Sequence, residues 1–471
     1  MNSVRANSRG VAFSRGQVQG ESRSGDRNGA VLTAAVLWAL TAFLVCPPDF
    51  NYSIDYATFT VSVGGITGPL ILSTALGISL LLIASRLKLS LDVLREISPS
   101  FLAFVVLASL SVLWSFDPAA TARRLFRLYG IVLSCFAFAI AGWYSHRFQN
   151  VMRPAITILL LGSIVFGLFF PELAIEEGTT ATLLGAWKGL AVQKNSLGAL
   201  AAVGVVLWVH ALLARESETK YILMGLAASL ACVFLSRSST SVLSVLLCIP
   251  FLILLLRTRP ALRRSMRYII GGFAAVILIY SLAMLNLIPG AGVLLTPITA
   301  ITGKDLTFSG RTPIWNIMVE SIGRHPWLGV GLGAYWTGPV PTSASYEFVV
   351  RTYVYPTESH NGYLDVINDL GFVGGACLIA YLISFLRQSL AVFAVDRNQG
   401  ALYLALLFQG FIGNLSESHW FKVSSFDFLF ITLATAAMAR QLVEFKKDRQ
   451  PVRTAQPYRG VRNAVRRLHR R

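Results

Sequence analysis

Apolar runs of about 18–22 residues recur from one end of this 471-residue chain to the other, the length a helix needs to cross the hydrocarbon core of a bilayer. Only 14% of the residues are charged and 54% are hydrophobic, with a mean hydropathy of +0.61. A soluble domain would carry roughly 25% charged residues, and its core has no use for so many long runs without charge. The expected fold class is therefore an all-α polytopic membrane protein. Twelve transmembrane helices fit best, at 29–46, 66–85, 98–115, 124–144, 154–171, 195–213, 221–235, 240–256, 268–288, 361–386, 400–413 and 425–442.

Lysine and arginine set the orientation. With the N-terminus inside, the inner segments hold 30 of the 41 basic residues and the outer ones 11. That bias follows the positive-inside rule and predicts two cytoplasmic termini. The net charge of +18 then reflects topology and contact with anionic lipid, not nucleic-acid binding. The expected organisation is a disordered N-terminus over 1–28, spans over 29–288, one large outer loop over 289–360, spans over 361–442 and a basic tail over 443–471. The first span reads as a retained anchor, not a cleaved signal peptide.

The outer loop is the one extramembrane segment long enough to build a lid. Thr312 followed by Pro313 suits a helix start, and Ile314, Ile317, Met318 and Ile322 recur at helical spacing. A short amphipathic helix is expected over 313–323, ended by His325-Pro326. Residues 338–356 read as irregular. Cys46, Cys135, Cys232, Cys248 and Cys377 all sit in or beside apolar spans with no CxxC pair, so neither a disulfide framework nor a metal site is expected. The Gly329/Gly331/Gly333 run lacks the lysine of a P-loop. Its glycines point to a tight turn or to close backbone approach to a substrate.

Several outer residues carry possible chemistry. Arg237, in a short turn between spans, and the cluster Arg123, Arg124 and Arg127 break the positive-inside bias. A phosphate or pyrophosphate at the outer face is a natural partner for them, as are ordinary lipid head groups for the cluster. Asp365 and Asp369 lie inside a span, where carboxylates are costly. Each either balances charge at a site or pairs with an outer arginine. Glu417, in the last outer loop with His419, either faces a substrate, holds an arginine or caps the interface.

Two motifs lie in one stretch of chain. His360-Asn361 is followed after nine residues by Gly371 and then Gly374. Upstream come Ser309-Gly310-Arg311, Trp315 and His325-Pro326-Trp327-Leu328-Gly329-Val330-Gly331-Leu332-Gly333. Together they resemble the signatures of the O-antigen ligase and Wzy-type polysaccharide polymerase superfamily. With Lys194-Asn195 and the Ser236–Thr240 run, the likeness is greatest to the exopolysaccharide (succinoglycan-type) polymerase branch.

The resemblance implies glycan transfer on the periplasmic face of a bacterial inner membrane, from a polyprenyl-pyrophosphate-linked donor to a glycan acceptor. It implies that His360 is the general base and that Asn361 belongs to the same site. Arg311 would neutralise pyrophosphate with its bidentate fork, and Lys194 would be a secondary phosphate ligand. No cofactor, nucleotide sugar or divalent metal is expected, and the reaction reads as inverting. A chain-length regulator or export complex is a possible partner. Three rivals stand: a ligase or protein oligosaccharyltransferase with the same site, a transporter or flippase, and a structural part of a secretion complex.

Overall fold

In lipid, every backbone N–H and C=O must be satisfied within the protein, and a helix does this within one segment. The computed structural model of this chain describes residues 24–52, 65–143, 147–177, 184–257, 311–353 and 355–449, with residues 268, 271, 272 and 275. Most of the expected span 268–288, loop residues 289–310 and the chain ends 1–23 and 450–471 lie outside these residues. Within them the chain is mostly helical, and the strands form one two-stranded antiparallel ribbon that pairs Ile175–Glu176 with Ala186–Trp187. It is a polytopic all-α membrane protein.

Eleven of the twelve expected spans fall on helices: Ser24–Val45, Thr67–Ser85, Pro99–Leu110, Pro118–Ala137, Phe148–Phe169, Lys194–Ala214, Thr219–Leu235, Ser239–Arg257, Gly362–Val395, Arg397–Gly413 and Phe426–Arg449. Eight helices among the described residues are long and apolar enough to cross a bilayer. A ninth is counted if Leu87–Glu96 and Pro99–Leu113, bent by 99°, form one span. Starts follow local chemistry: Pro118 opens its helix beside Asp117, whose carboxylate caps the amide of Ala120 at 2.8 Å. The first helix begins at Ser24, inside the segment 1–28 expected to be disordered, and the last runs to Arg449, into the basic tail expected from 443.

Helix Lys194–Ala214 lies within the bundle. It packs against Phe148–Phe169, Thr219–Leu235, Ser239–Arg257 and Arg397–Gly413, and Leu197, Leu200, Ala201, Val205 and Leu207 are fully buried.

Gly362–Val395 is longer than expected and is broken at Gly371, whose φ of 66° and ψ of −169° lie outside any helical region. The break frees carbonyls, and the strap 326–333 takes them up. Val330 N donates to Asn368 O at 3.0 Å and Gly331 N to Asp369 O at 2.8 Å; in return Phe372 N donates to Pro326 O at 2.7 Å. A Cβ at Gly371 would lie 2.1 Å from the Trp327 carbonyl. The strap glycines Gly329, Gly331 and Gly333 all have positive φ. They do permit close backbone approach, but to the broken helix, Ser115 and Arg124; no substrate is needed to explain them.

The outer-loop helix forms over Arg311–Arg324, slightly longer than the expected 313–323; the side chain of Thr312, its proposed cap, lies outside the described residues. It buries Trp315, Ile317, Met318 and Ile322 against Val330, Tyr335, Phe348 and Leu364. The stretch 338–356 is less irregular than expected. It contains a turn of 3-10 helix at Ala344–Tyr346 and a helix at Glu347–Thr352, stitched to the Arg311–Arg324 helix by Arg324–Glu347 at 2.7 Å and Arg351–Glu320 at 2.6 Å.

Candidate functional site

Three segments are drawn to one point at the head of Gly362–Val395. Asn361 caps that helix, its side-chain oxygen accepting from Tyr363 N at 3.1 Å and Leu364 N at 3.2 Å. Gly362 N donates to the carbonyls of Asn414 and Glu417, both at 3.1 Å, and a Cβ at Gly362 would lie 1.9 Å from Asn414 Oδ1. Asn414 in turn folds its own loop, accepting from His419 N at 2.9 Å and Trp420 N at 2.7 Å. From the other side Trp315 Nε1 donates to Ser359 O at 2.9 Å. That bond ties the Arg311–Arg324 helix to residue 359.

His360 stands between these anchors with φ at 53°, a left-handed conformation uncommon outside glycine and costing a residue of this kind on the order of 1–2 kcal/mol. Its Nδ1 is 3.1 Å from Glu358 Oε1 and 3.3 Å from Glu417 Oε2. Ionised carboxylates only accept, so Nδ1 carries the proton and Nε2 of the neutral ring is left as the basic nitrogen. Glu417 Oε1 accepts from Arg311 Nη2 and from Asn195 Nδ2, each at 2.8 Å. Glu358 is ion-paired with Lys422. Both carboxylates are buried, whereas the His360 side chain remains 23% exposed, open to a reactant.

The electrostatics follow from this crowding. Burial alone would push the Glu417 carboxyl up, but the hydrogen bond and charge of His360, with Arg311 and His419 nearby, hold it below the usual carboxylate range. Burial and the charge of Arg124 pull the Lys422 ammonium down to about 7, and the adjoining Glu358 carboxylate acts in the opposite sense.

Among the described residues, Glu358, His360 and Glu417 are also a group able to hold a metal ion, their ligand atoms lying within 4.8 Å of one another. Each carboxylate already faces a cation, Lys422 or Arg311, so a metal would have to compete with both.

The structure thus brings together His360, Arg311 and Glu417 from the sequence expectations. Glu417 does hold an arginine, one of the readings left open for it. Arg124 lies near Lys422 and Asp369, and its Nη2 donates to Trp336 O at 3.3 Å. The other basic candidates have surroundings of their own. Arg127 lies over the Phe43 ring at 5.4 Å, Arg123 is exposed, and Arg237 Nη1 donates to Leu184 O at 2.8 Å. The Lys194 amide donates to Glu176 Oε1 at 2.9 Å, while its neighbour Asn195 reaches the site. Asp365 and Asp369 hold loops, accepting from Trp336 Nε1 at 3.0 Å and Gly333 N at 2.7 Å.

Sequence reasoning missed Glu358 and Lys422. Lys422 was detectable by the argument that singled out Arg237, a basic residue on the side where basic residues are scarce. Nothing local distinguishes Glu358 beyond its place two residues before His360.

Residues 224–379 match the family Wzy_C, described as O-antigen ligase; the match contains Arg311, Glu358 and His360. The chain is also similar to the exopolysaccharide production protein ExoQ of Rhizobium meliloti (strain 1021), 28% identical over 323 residues, 65% of this chain and 69% of that protein. The stretch that carries His360 and Arg311 thus matches the Wzy_C family model, in a membrane protein that is similar to an exopolysaccharide production protein over 65% of its length.

Proposed function

We propose that this protein is a glycan transferase of the inner membrane that joins exopolysaccharide or O-antigen repeat units on the periplasmic face, using a polyprenyl-pyrophosphate-linked oligosaccharide as donor. The observation that carries the reading is His360 held at Nδ1 by two buried carboxylates, with Arg311 on the far side of one of them. Such an imidazole is oriented, with Nε2 left to take a proton, which is what a general base requires. His360 Nε2 takes the proton from an acceptor hydroxyl as that oxygen attacks the anomeric carbon. The bond to the pyrophosphate oxygen breaks, and the configuration inverts in a single displacement. Arg311, whose Nη2 engages Glu417, presents its remaining N–H groups to the leaving pyrophosphate, with Lys422 and Arg124 as further positive charge. Arg237, Arg123, Arg127 and Lys194 then guide the charged donor or contact lipid head groups. The apolar spans accommodate the polyprenyl tail, and the outer-loop helices shield the reaction from water.

The basic-residue bias supports cytoplasmic termini and an outward-facing site. A ligase with the same chemistry and a separate acceptor is the second reading, favoured by the description of the matched family. The decisive experiment reconstitutes the purified protein with a polyprenyl-pyrophosphate oligosaccharide, wild type beside His360→Ala, and sizes products by mass spectrometry. A ladder of repeats that vanishes in the variant supports polymerisation with His360 as base. A single transfer, seen only with an added acceptor, selects the ligase. Undiminished product from His360→Ala removes the base assignment.

A further inference from the structure

Behind Glu417 a cavity of about 50 Å³ runs into the bundle between helices Lys194–Ala214, Ser239–Arg257, Arg397–Gly413 and Phe426–Arg449. A single water needs only about 10–15 Å³ of such space, while a whole sugar ring is far too large. The two ends of the slot differ in chemistry. Its mouth is polar, formed by Asn195, Thr240, Ser241, Glu417 and His419. Its floor is apolar, formed by Val203, Leu406 and Phe430. The mouth is held in shape by its own bonds: Thr240 Oγ1 to Ser416 Oγ at 2.5 Å, Ser241 Oγ to Ser238 Oγ at 3.0 Å, and His419 Nδ1 against Asp427 Oδ2 at 3.2 Å.

Gln409 also lines the slot. Its side chain is 8% exposed, and Oε1 is buried with no hydrogen-bond partner. A buried amide oxygen without a donor is costly unless something supplies one. The ligand that suits this slot brings one hydroxyl donor on a short apolar stem.

We propose that the slot is a specificity notch for the exocyclic hydroxymethyl group of a hexose unit. The CH₂ meets the apolar floor and the hydroxyl donates to Gln409 Oε1. The inference rests on the glycan-transfer reading, and it adds a discriminating contact that the transfer chemistry does not require. Since Asn195 and Glu417 line the mouth and also bond each other at 2.8 Å, a sugar seated there lies against the carboxylate that steadies His360.

The test is direct binding, which does not depend on turnover. Detergent-purified protein is titrated with a panel of methyl hexopyranosides and their 6-deoxy counterparts, and contacts are read by saturation-transfer NMR. At least one hexoside is expected to receive saturation at its C6 protons, and its 6-deoxy analogue to bind about tenfold or more weaker, since a site built for a hydroxyl rejects the analogue lacking it. Gln409→Leu should erase that difference. Ser85→Ala, an exposed position at the end of helix Thr67–Ser85 and outside the lining of the slot, serves as the control and should retain it. Absence of C6 saturation for every hexoside, or equal affinity for the deoxy sugars, overturns the notch, as does an unchanged preference in folded Gln409→Leu. Hexoside discrimination in a protein with no transfer activity leaves the notch standing and sinks the transfer reading instead.

Discussion

At the scale of single residues, the site depends on two carboxylates competing for one imidazole nitrogen. Replacing His360 with Asn preserves a residue that tolerates positive φ, so the fold should survive while transfer falls by roughly 10²–10⁴-fold, the usual worth of a positioned base. The check is thermal unfolding beside turnover; unfolding of this variant would mean that the histidine is chiefly structural. Glu417 makes a separate prediction about pH. Its carboxyl titrates below its ordinary value because His360, Arg311 and His419 favour the ionised form. Its stabilising contribution is therefore complete above the ordinary carboxylate value of about 4.3 and is lost as pH falls through the lower folded-state value. Wild type should accordingly be more stable than Glu417→Gln at pH 7, and the gap should close on acidification below about pH 4. A gap that stays constant from pH 7 to pH 3.5 would show that the ionised carboxylate facing His360 and Arg311 is not its source. Metal dependence separates two uses of the same atoms: transfer that survives exhaustive chelation fits Lys422 and Arg311 as the counter-charges, whereas loss restored by a divalent ion would hand Glu358, His360 and Glu417 to a metal.

At the scale of elements, the sequence motifs prove to be joints as much as chemistry. The nine-residue spacing from Asn361 to Gly371 is the distance from a helix cap to a helix break, and the HPxxGxGxG strap supplies the amides that the break leaves wanting. Gly371→Ala should destabilise the fold by about 2 kcal/mol or more: it demands an unfavourable φ and places a methyl 2.1 Å from the Trp327 carbonyl. Melting in detergent micelles measures this, and a wild-type melting point would mean that strap and helix shift freely. The helices themselves were legible because apolar length and basic-residue bias act locally, residue by residue. The assembly of the site was not. Glu417 lies 57 residues from His360, and Arg311 meets Glu417 across 106; only the folded loop around Asn414 brings them together. Arg237, Arg123 and Arg127 show the converse, since scarcity of outer cations marked them as a group while packing placed them against a carbonyl, solvent and an aromatic ring.

At the scale of the whole molecule, the same helices that hold the site hold a second polar cluster at their other ends. On Lys194–Ala214, Asn195 reaches Glu417 and His210 lies fifteen residues on, about 22 Å along the axis. There the buried Arg153 donates to Glu216 Oε2 at 2.8 Å and to Leu207 O at 3.1 Å, and lies 3.1 Å from His210 Nδ1. His210 Nε2 contacts Asn398 O at 2.8 Å, and Gln149 donates to Gln399 at 2.9 Å. Three helices are thereby pinned far from the site. Glu216→Ala would leave the Arg153 guanidinium buried without a counter-charge, which should cost about 3–5 kcal/mol. Exchanging both partners for apolar residues, Arg153→Met with Glu216→Leu, should recover most of that loss, because two desolvated charges are removed together. A double-mutant cycle of thermal unfolding measures the coupling directly. If the single and double variants melt alike, the pair does not hold the helices; if the double variant melts near wild type yet transfers glycan poorly, the cluster sets the geometry of the distant site beyond its share of stability.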